Sequence, residues 1–202
     1  MERLSEEVEI LPQQQRNMAD GNGGIINSIK RIRWYEWILI AVLTFLPLVG
    51  GFIGARAFNT GAYKRGEMKK PPWAPPSWLF SPVWSVLYLL MGFSSYLVWK
   101  CGNGLSRESI PPLLLYTAQL LINWAWTPLF FGFGLLGGAQ LAVAAVWGLV
   151  LACVVTFLPV SKVAALLMFP YLIWVSYASA LNYAIVCLNG CRMTNDTAAA
   201  SV

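Results

Sequence analysis

Trp73, Trp78 and Trp84 stand among Pro71, Pro72, Pro75, Pro76 and Pro82 in the stretch KPPWAPPSWLFSPVW, residues 70–84. Proline has no N–H and holds its φ near −65°, so the first half of this stretch can be neither helix interior nor central strand. A rigid loop carrying indoles must therefore lead straight into an apolar helix. Further along, Tyr116, Gln119, Asn123 and Trp126 fall at i, i+3, i+7 and i+10, which is one helical face. Amides are costly against lipid, so this face is expected to turn inward, towards other helices or towards a ligand. Trp174 lies in mid-span with Tyr171, Ala178, Leu181 and Ile185 on its stripe and Asn182 beside it. Trp34, Trp37 and Trp99 read instead as interfacial anchors. Aromatic rings with a few amides suit the binding of flat hydrophobic molecules.

Other chemistries lack their parts. The chain has no histidine, which removes the commonest metal ligand and proton shuttle. It shows no Gly-rich phosphate loop, and its apolar runs hold no carboxylate pair for a metal. Cys101, Cys153, Cys187 and Cys191 lie within or at the ends of apolar runs and outline neither a disulfide framework nor a zinc site.

The elements that must position these side chains follow from the charge pattern. Hydrophobic residues make up 57% of the 202 and charged residues 11%, with a mean hydropathy of +0.58, whereas soluble domains carry about 25% charge. No charged residue occurs in 37–55, 71–99, 109–161 or 163–191, and a membrane-spanning helix needs about 20 apolar residues. The third run has room for two spans. The pattern therefore predicts an all-α integral membrane protein, a bundle of five transmembrane helices over 36–58, 78–100, 111–131, 138–159 and 164–188, within a membrane domain of 34–190. Polar tails are expected over 1–33 and 191–202, and a lid loop over 59–77. The net charge of +5 resides largely in basic residues flanking the spans, where lipid headgroups and not nucleic acid are the expected partners. Gly50 and Gly54, with Gly51 and Ala55, make a smooth face on the first helix. Packing inside the bundle is its expected use ahead of a dimer contact.

Several blocks together resemble the translocator protein family, also called tryptophan-rich sensory proteins or peripheral-type benzodiazepine receptors. They are PLVGGFIGA (47–55), the Pro-Trp stretch followed by Tyr88, YTAQLLINWAWTPLFFG (116–132) and PYLIWVSYASALNY (170–183). The likeness covers about 43–188. It implies a five-helix bundle, often dimeric, that binds porphyrins such as protoporphyrin IX or haem, cholesterol or other sterols, and synthetic ligands in a pocket under the first loop. No other cofactor and no metal is implied. Carried over by position, the pocket falls on Ala55, Phe58, Trp73, Trp78, Phe80, Ser81, Val83, Asn123, Trp124, Trp126, Trp174, Ala178 and Leu181. The resemblance also implies residence in the mitochondrial outer membrane, with the endoplasmic reticulum as the alternative.

Two further readings accompany this receptor or carrier. Bacterial members break down porphyrin in light, which would assign redox roles to Trp73, Trp78 and Trp174. A structural membrane adaptor working through its tails is the third reading. The chain departs from the family pattern at Ala74, where animal members carry His, and at Gly138 and Ala142, where they carry Trp and an acid, so tight binding of synthetic ligands does not carry over. The sterol pattern near the end of the fifth helix keeps Leu181 and Tyr183, but its next basic residue, Arg192, is too distant; Leu90, Tyr96 and Lys100 make an alternative match.

Overall fold

A computed structural model of the chain describes residues 34–57 and 68–199, with side chains as far as Asn189. The expected tail 1–33, Phe58 and the 59–67 part of the expected lid loop lie outside the described residues. Five α-helices follow one another: α1 (Trp34–Ala57), α2 (Ser77–Cys101), α3 (Ile110–Thr127), α4 (Leu136–Phe157) and α5 (Lys162–Ala199). A π-helical turn, Pro128–Gly132, extends α3. The described residues contain no strand. The chain divides into two units, Met1–Leu39 and Ile40–Val202. Of the first, only the opening of α1 is described, and the contacts discussed below belong to the second.

Local chemistry sets the helix limits. Pro76 holds an extended backbone (φ −56°, ψ 141°), and α2 begins at the next residue. Between α2 and α3 the chain reverses through Asn103 (φ 57°) and Gly104 (φ 82°), the left-handed region that glycine enters without steric cost. Pro111 and Pro112 occupy the first turn of α3, where a missing N–H leaves no helical bond unmade. Pro128 has no N–H to continue the ladder, and its carbonyl accepts from the Phe133 N–H, five residues on, at 2.9 Å. The last helix runs past its expected end at 188. No proline interrupts 189–199, and the backbone stays helical to Ala199, so most of the segment expected as a tail continues α5.

Four helices are long and apolar enough to cross a membrane: α1, α2, α4 and the Lys162–Asn189 part of α5. The expectation of five spans is thus met by four on length and hydropathy alone. α3 falls short because its 18 residues include two prolines, Gln119 and Asn123. Exposed Val42, Phe45, Val49, Phe52 and Ile53 on α1, and Leu141, Val155, Leu166 and Ile173 on α4 and α5, would be a liability in water. Lipid is the solvent they fit, and the apolar helices fit an integral membrane protein.

α4 packs along α5 and against α3, while α2 packs on α5. Met91, Val98, Val150, Cys153, Phe157, Met168 and Tyr171 are fully enclosed where these helices meet. α1 joins them through glycine. A Cβ on Gly92 of α2 would lie 2.6 Å from the carbonyl oxygens of Leu43 and Thr44, so the two backbones touch there. Gly50 meets the Trp124 ring, Gly51 the Tyr88 ring and Gly54 the Thr127 side chain. The smooth face of α1 therefore serves packing within Ile40–Val202.

Candidate functional site

One face of α2 supplies a wall. Ser77, Phe80, Ser81, Trp84, Ser85 and Tyr88 recur at steps of three and four, which brings them to one side of the helix, and all line a cavity of about 410 Å³. α3 and its π turn add Asn123, Trp126, Thr127, Phe130 and Phe131. α5 adds Ala178 and Leu181, and α1 closes the space with Gly51, Phe52, Ala55 and Arg56. A volume of this size falls within the range of small-molecule sites.

The rings are fixed against one another. Trp126 stacks on Phe130 at 4.9 Å between centroids, and Phe131 meets Phe130 edge-on at 4.8 Å. Trp84 lies 5.5 Å from Tyr88 and 6.1 Å from Tyr171. Such pairs add about 0.5–1.5 kcal/mol each beyond area burial, so these walls hold their shape without a ligand.

A polar chain runs behind them. The Tyr88 hydroxyl donates to Asn123 Oδ1 at 2.7 Å, Asn123 Nδ2 donates to the Tyr171 hydroxyl at 3.0 Å, and that hydroxyl donates to Gln119 Oε1 at 3.1 Å. Gln119 is wholly buried, and Asn123 and Tyr88 nearly so. Hydrogen bonds satisfy both ends of the Asn123 amide, so its cavity-lining position serves the bundle as well as any ligand. Asn182, on the α5 wall, donates to Gln140 Oε1 at 2.7 Å. The Nε1 atoms of Trp126 and Trp174 and the Nε2 of Gln119 are buried without a hydrogen-bond partner among the described residues.

The end of the cavity near Ser77 is bordered by residues 68–76, and two attachments hold this strap to α5. Asn189 accepts from the Lys69 N–H at 3.0 Å and donates to the Lys69 carbonyl at 2.9 Å, pairing with the backbone as a strand would. The Tyr177 hydroxyl donates to the Trp73 carbonyl at 3.2 Å, with the two rings edge-on at 5.8 Å. Met68 and Ala74 pack against Phe130, Leu181 and Ile185.

Of the described residues carried over by the family resemblance, the cavity brings together Ala55, Phe80, Ser81, Asn123, Trp126, Ala178 and Leu181. It does not include Trp73, Trp78, Val83, Trp124 or Trp174. Trp78 is 71% exposed because it leaves the α2 face that carries Phe80 and Trp84. Trp73 is held outside by its contact with Tyr177. Val83 packs in the main core. The Trp124 indole lies across Gly50 and donates to the Pro47 carbonyl at 3.3 Å. Trp174 stands behind Phe80, 6.2 Å from its ring.

Among the sterol candidates, Leu181 lines the cavity, Tyr183 is exposed, and Tyr96 is buried between Phe93 and Trp99 at 6.0 and 6.2 Å. Leu90 and Lys100 are half-buried on α2. Sequence reasoning missed Arg56, Trp84, Tyr88, Phe130 and Phe131 as lining residues. Counting in fours from Phe80 reaches Trp84 and Tyr88, and counting on from Asn123 and Trp126 reaches Phe130; the π turn itself is announced by no such spacing. Among the described residues no three His, Cys, Asp or Glu side chains come together as a metal site would require.

A family model described as the TspO/MBR family matches residues 38–188. The chain is 42% identical over 154 residues to the translocator protein of Bos taurus, covering 73% of this chain and 88% of that one. It is 41% identical over 150 residues to the translocator protein of Homo sapiens, covering 74% and 89%. With the tryptophan-rich protein TspO of Chlorobaculum tepidum it shares 34% over 154 residues, covering 75% and 96%.

Proposed function

The chain belongs to the TspO/MBR family, and we propose that it is a five-span membrane receptor or carrier for porphyrin- or sterol-like ligands. The observation that carries this reading is the partly open aromatic cavity of about 410 Å³. Its walls are stacked rings and aliphatic side chains, and the polar groups of Tyr88 and Asn123 are engaged with each other. Such a site gains most of its binding free energy from burying flat apolar surface and little from direct charge pairing at depth. The third span is α3 with its π turn, whose amides are shielded by α2 and α5. The proposed role is movement of a tetrapyrrole or a lipid such as cholesterol. The proposed setting is the mitochondrial outer membrane, with the endoplasmic reticulum as the alternative and a homodimer as the proposed assembly.

Purified protein in detergent, titrated with protoporphyrin IX and separately with cholesterol, tests the reading through tryptophan fluorescence. Saturable quenching that weakens in Trp126→Phe is expected for at least one ligand. Quenching by neither, or the same titration curve in Trp126→Phe and Phe80→Ala as in the wild type, would overturn it.

A further inference from the structure

Resting on that reading, we infer that Arg56 gives the cavity a preference for ligands bearing a carboxylate, so that the apolar ring system lies inside and the acid group lies at the end of α1. Arg56 is the only charged side chain among the described residues lining the cavity. An arginine closing a membrane helix ordinarily extends towards headgroups and water. Here the guanidinium folds back one turn, with its carbon 5.0 Å from the centroid of the Phe52 ring, and Phe52 itself lines the cavity. The ring thus holds the cation beside the opening.

The polar lining is unevenly distributed. Ser77 and Ser81 open α2 and Thr127 ends α3, close in the bundle to the last turn of α1, since Gly54 contacts the Thr127 side chain. Away from that end the lining passes to Trp84, Val143, Val146 and Val175, and its polar members are already engaged: Ser85 donates to the Ser81 carbonyl and Tyr88 to Asn123. An amphiphile has one favourable orientation in such a space. A planar guanidinium suits a carboxylate, which it can grip through two N–H donors. It suits a lipid phosphate by the same chemistry, and the experiment must separate the two sources.

Protoporphyrin IX and its dimethyl ester share a macrocycle and differ in the acid groups. In lipid-free neutral detergent the acid is expected to bind the wild-type protein roughly fivefold to tenfold more tightly than the ester, the range left to a charge-assisted contact after discounting for solvent exposure. Arg56→Gln should weaken acid binding far more than ester binding and so remove the preference, Arg56→Lys should restore part of it, and added salt should reduce it. A purely structural role would move acid and ester together, so a parallel loss in Arg56→Gln overturns the inference. Equal binding of acid and ester to the wild type also overturns it. That result, joined to weaker binding of phosphatidylglycerol by Arg56→Gln, would assign the guanidinium to a lipid phosphate. If neither porphyrin binds, this inference falls, while the receptor reading then stands or falls with the cholesterol titration.

Discussion

Trp78 and Trp84 lie six residues apart on one helix and have opposite fates. Trp78 is 71% exposed, whereas Trp84 lines the cavity and touches both Tyr88 and Tyr171. Six residues correspond to about 240° around an α-helix, so the two indoles cannot share a face. Residue type alone therefore says little about which tryptophan meets a ligand; helix phase decides.

The contrast predicts unequal costs. Trp84→Ala should be the most damaging, with about 3 kcal/mol lost from stability for a large aromatic removed from a packed wall, read as a lowered unfolding midpoint in detergent. Porphyrin affinity should fall at the same time. If Trp84→Ala proves as mild as Trp78→Ala, the division by helix face is wrong. Next comes Gly51→Ala, whose Cβ would stand 2.4 Å from the Tyr88 ring. Displacing Tyr88 breaks its bond to Asn123, at an expected cost of about 1–3 kcal/mol, and Gly54→Ala, whose Cβ would meet Thr127 at an ordinary contact distance of 3.6 Å, serves as the mild control.

Tyr171→Phe tests the polar chain behind the wall. It takes one partner from Asn123 and one from Gln119, and about 1–2 kcal/mol of stability should be lost without a change in the number of ligand sites. Tyr177→Phe, which frees the Trp73 carbonyl from α5, should cost about 1 kcal/mol or less and show as faster proteolysis near residue 73. Trp78→Ala closes the series, with a change within about 0.5 kcal/mol, as for a surface site.

Much of the helical plan was legible because charge-free runs and prolines mark it directly. The inward turn of Gln119 and Asn123 was legible for the same reason, since amides cannot face lipid cheaply. The same two amides, with Pro111 and Pro112, keep α3 below the length and hydropathy of the other four helices. Site membership was less legible. The family's pattern named Trp73, Trp124 and Trp174 alongside Trp126, but Gly50 leaves room for the Trp124 ring against α1, and Tyr177 holds Trp73 outside. Those outcomes depend on which side chain lies opposite, a relation between helices that spacing along one helix does not encode. Phe131 illustrates a second limit. Counting in threes and fours from Asn123 reaches Trp126 and Phe130, but the longer repeat that begins at Pro128 is not announced by that count.

That shift has a geometric use. A regular α-helix turns successive residues about 100° apart, so adjacent cavity residues such as Phe80 and Ser81, or Trp84 and Ser85, diverge by that angle. Residues in a five-residue loop of the ladder are spread over a wider circuit, which narrows the angle between neighbours. Two consecutive phenylalanines can then both reach the cavity, one as a stacked floor beneath Trp126 and the other as an edge at right angles to it. The missing N–H of a single proline thereby becomes a corner in the binding surface, built from neighbouring residues on one strand of chain.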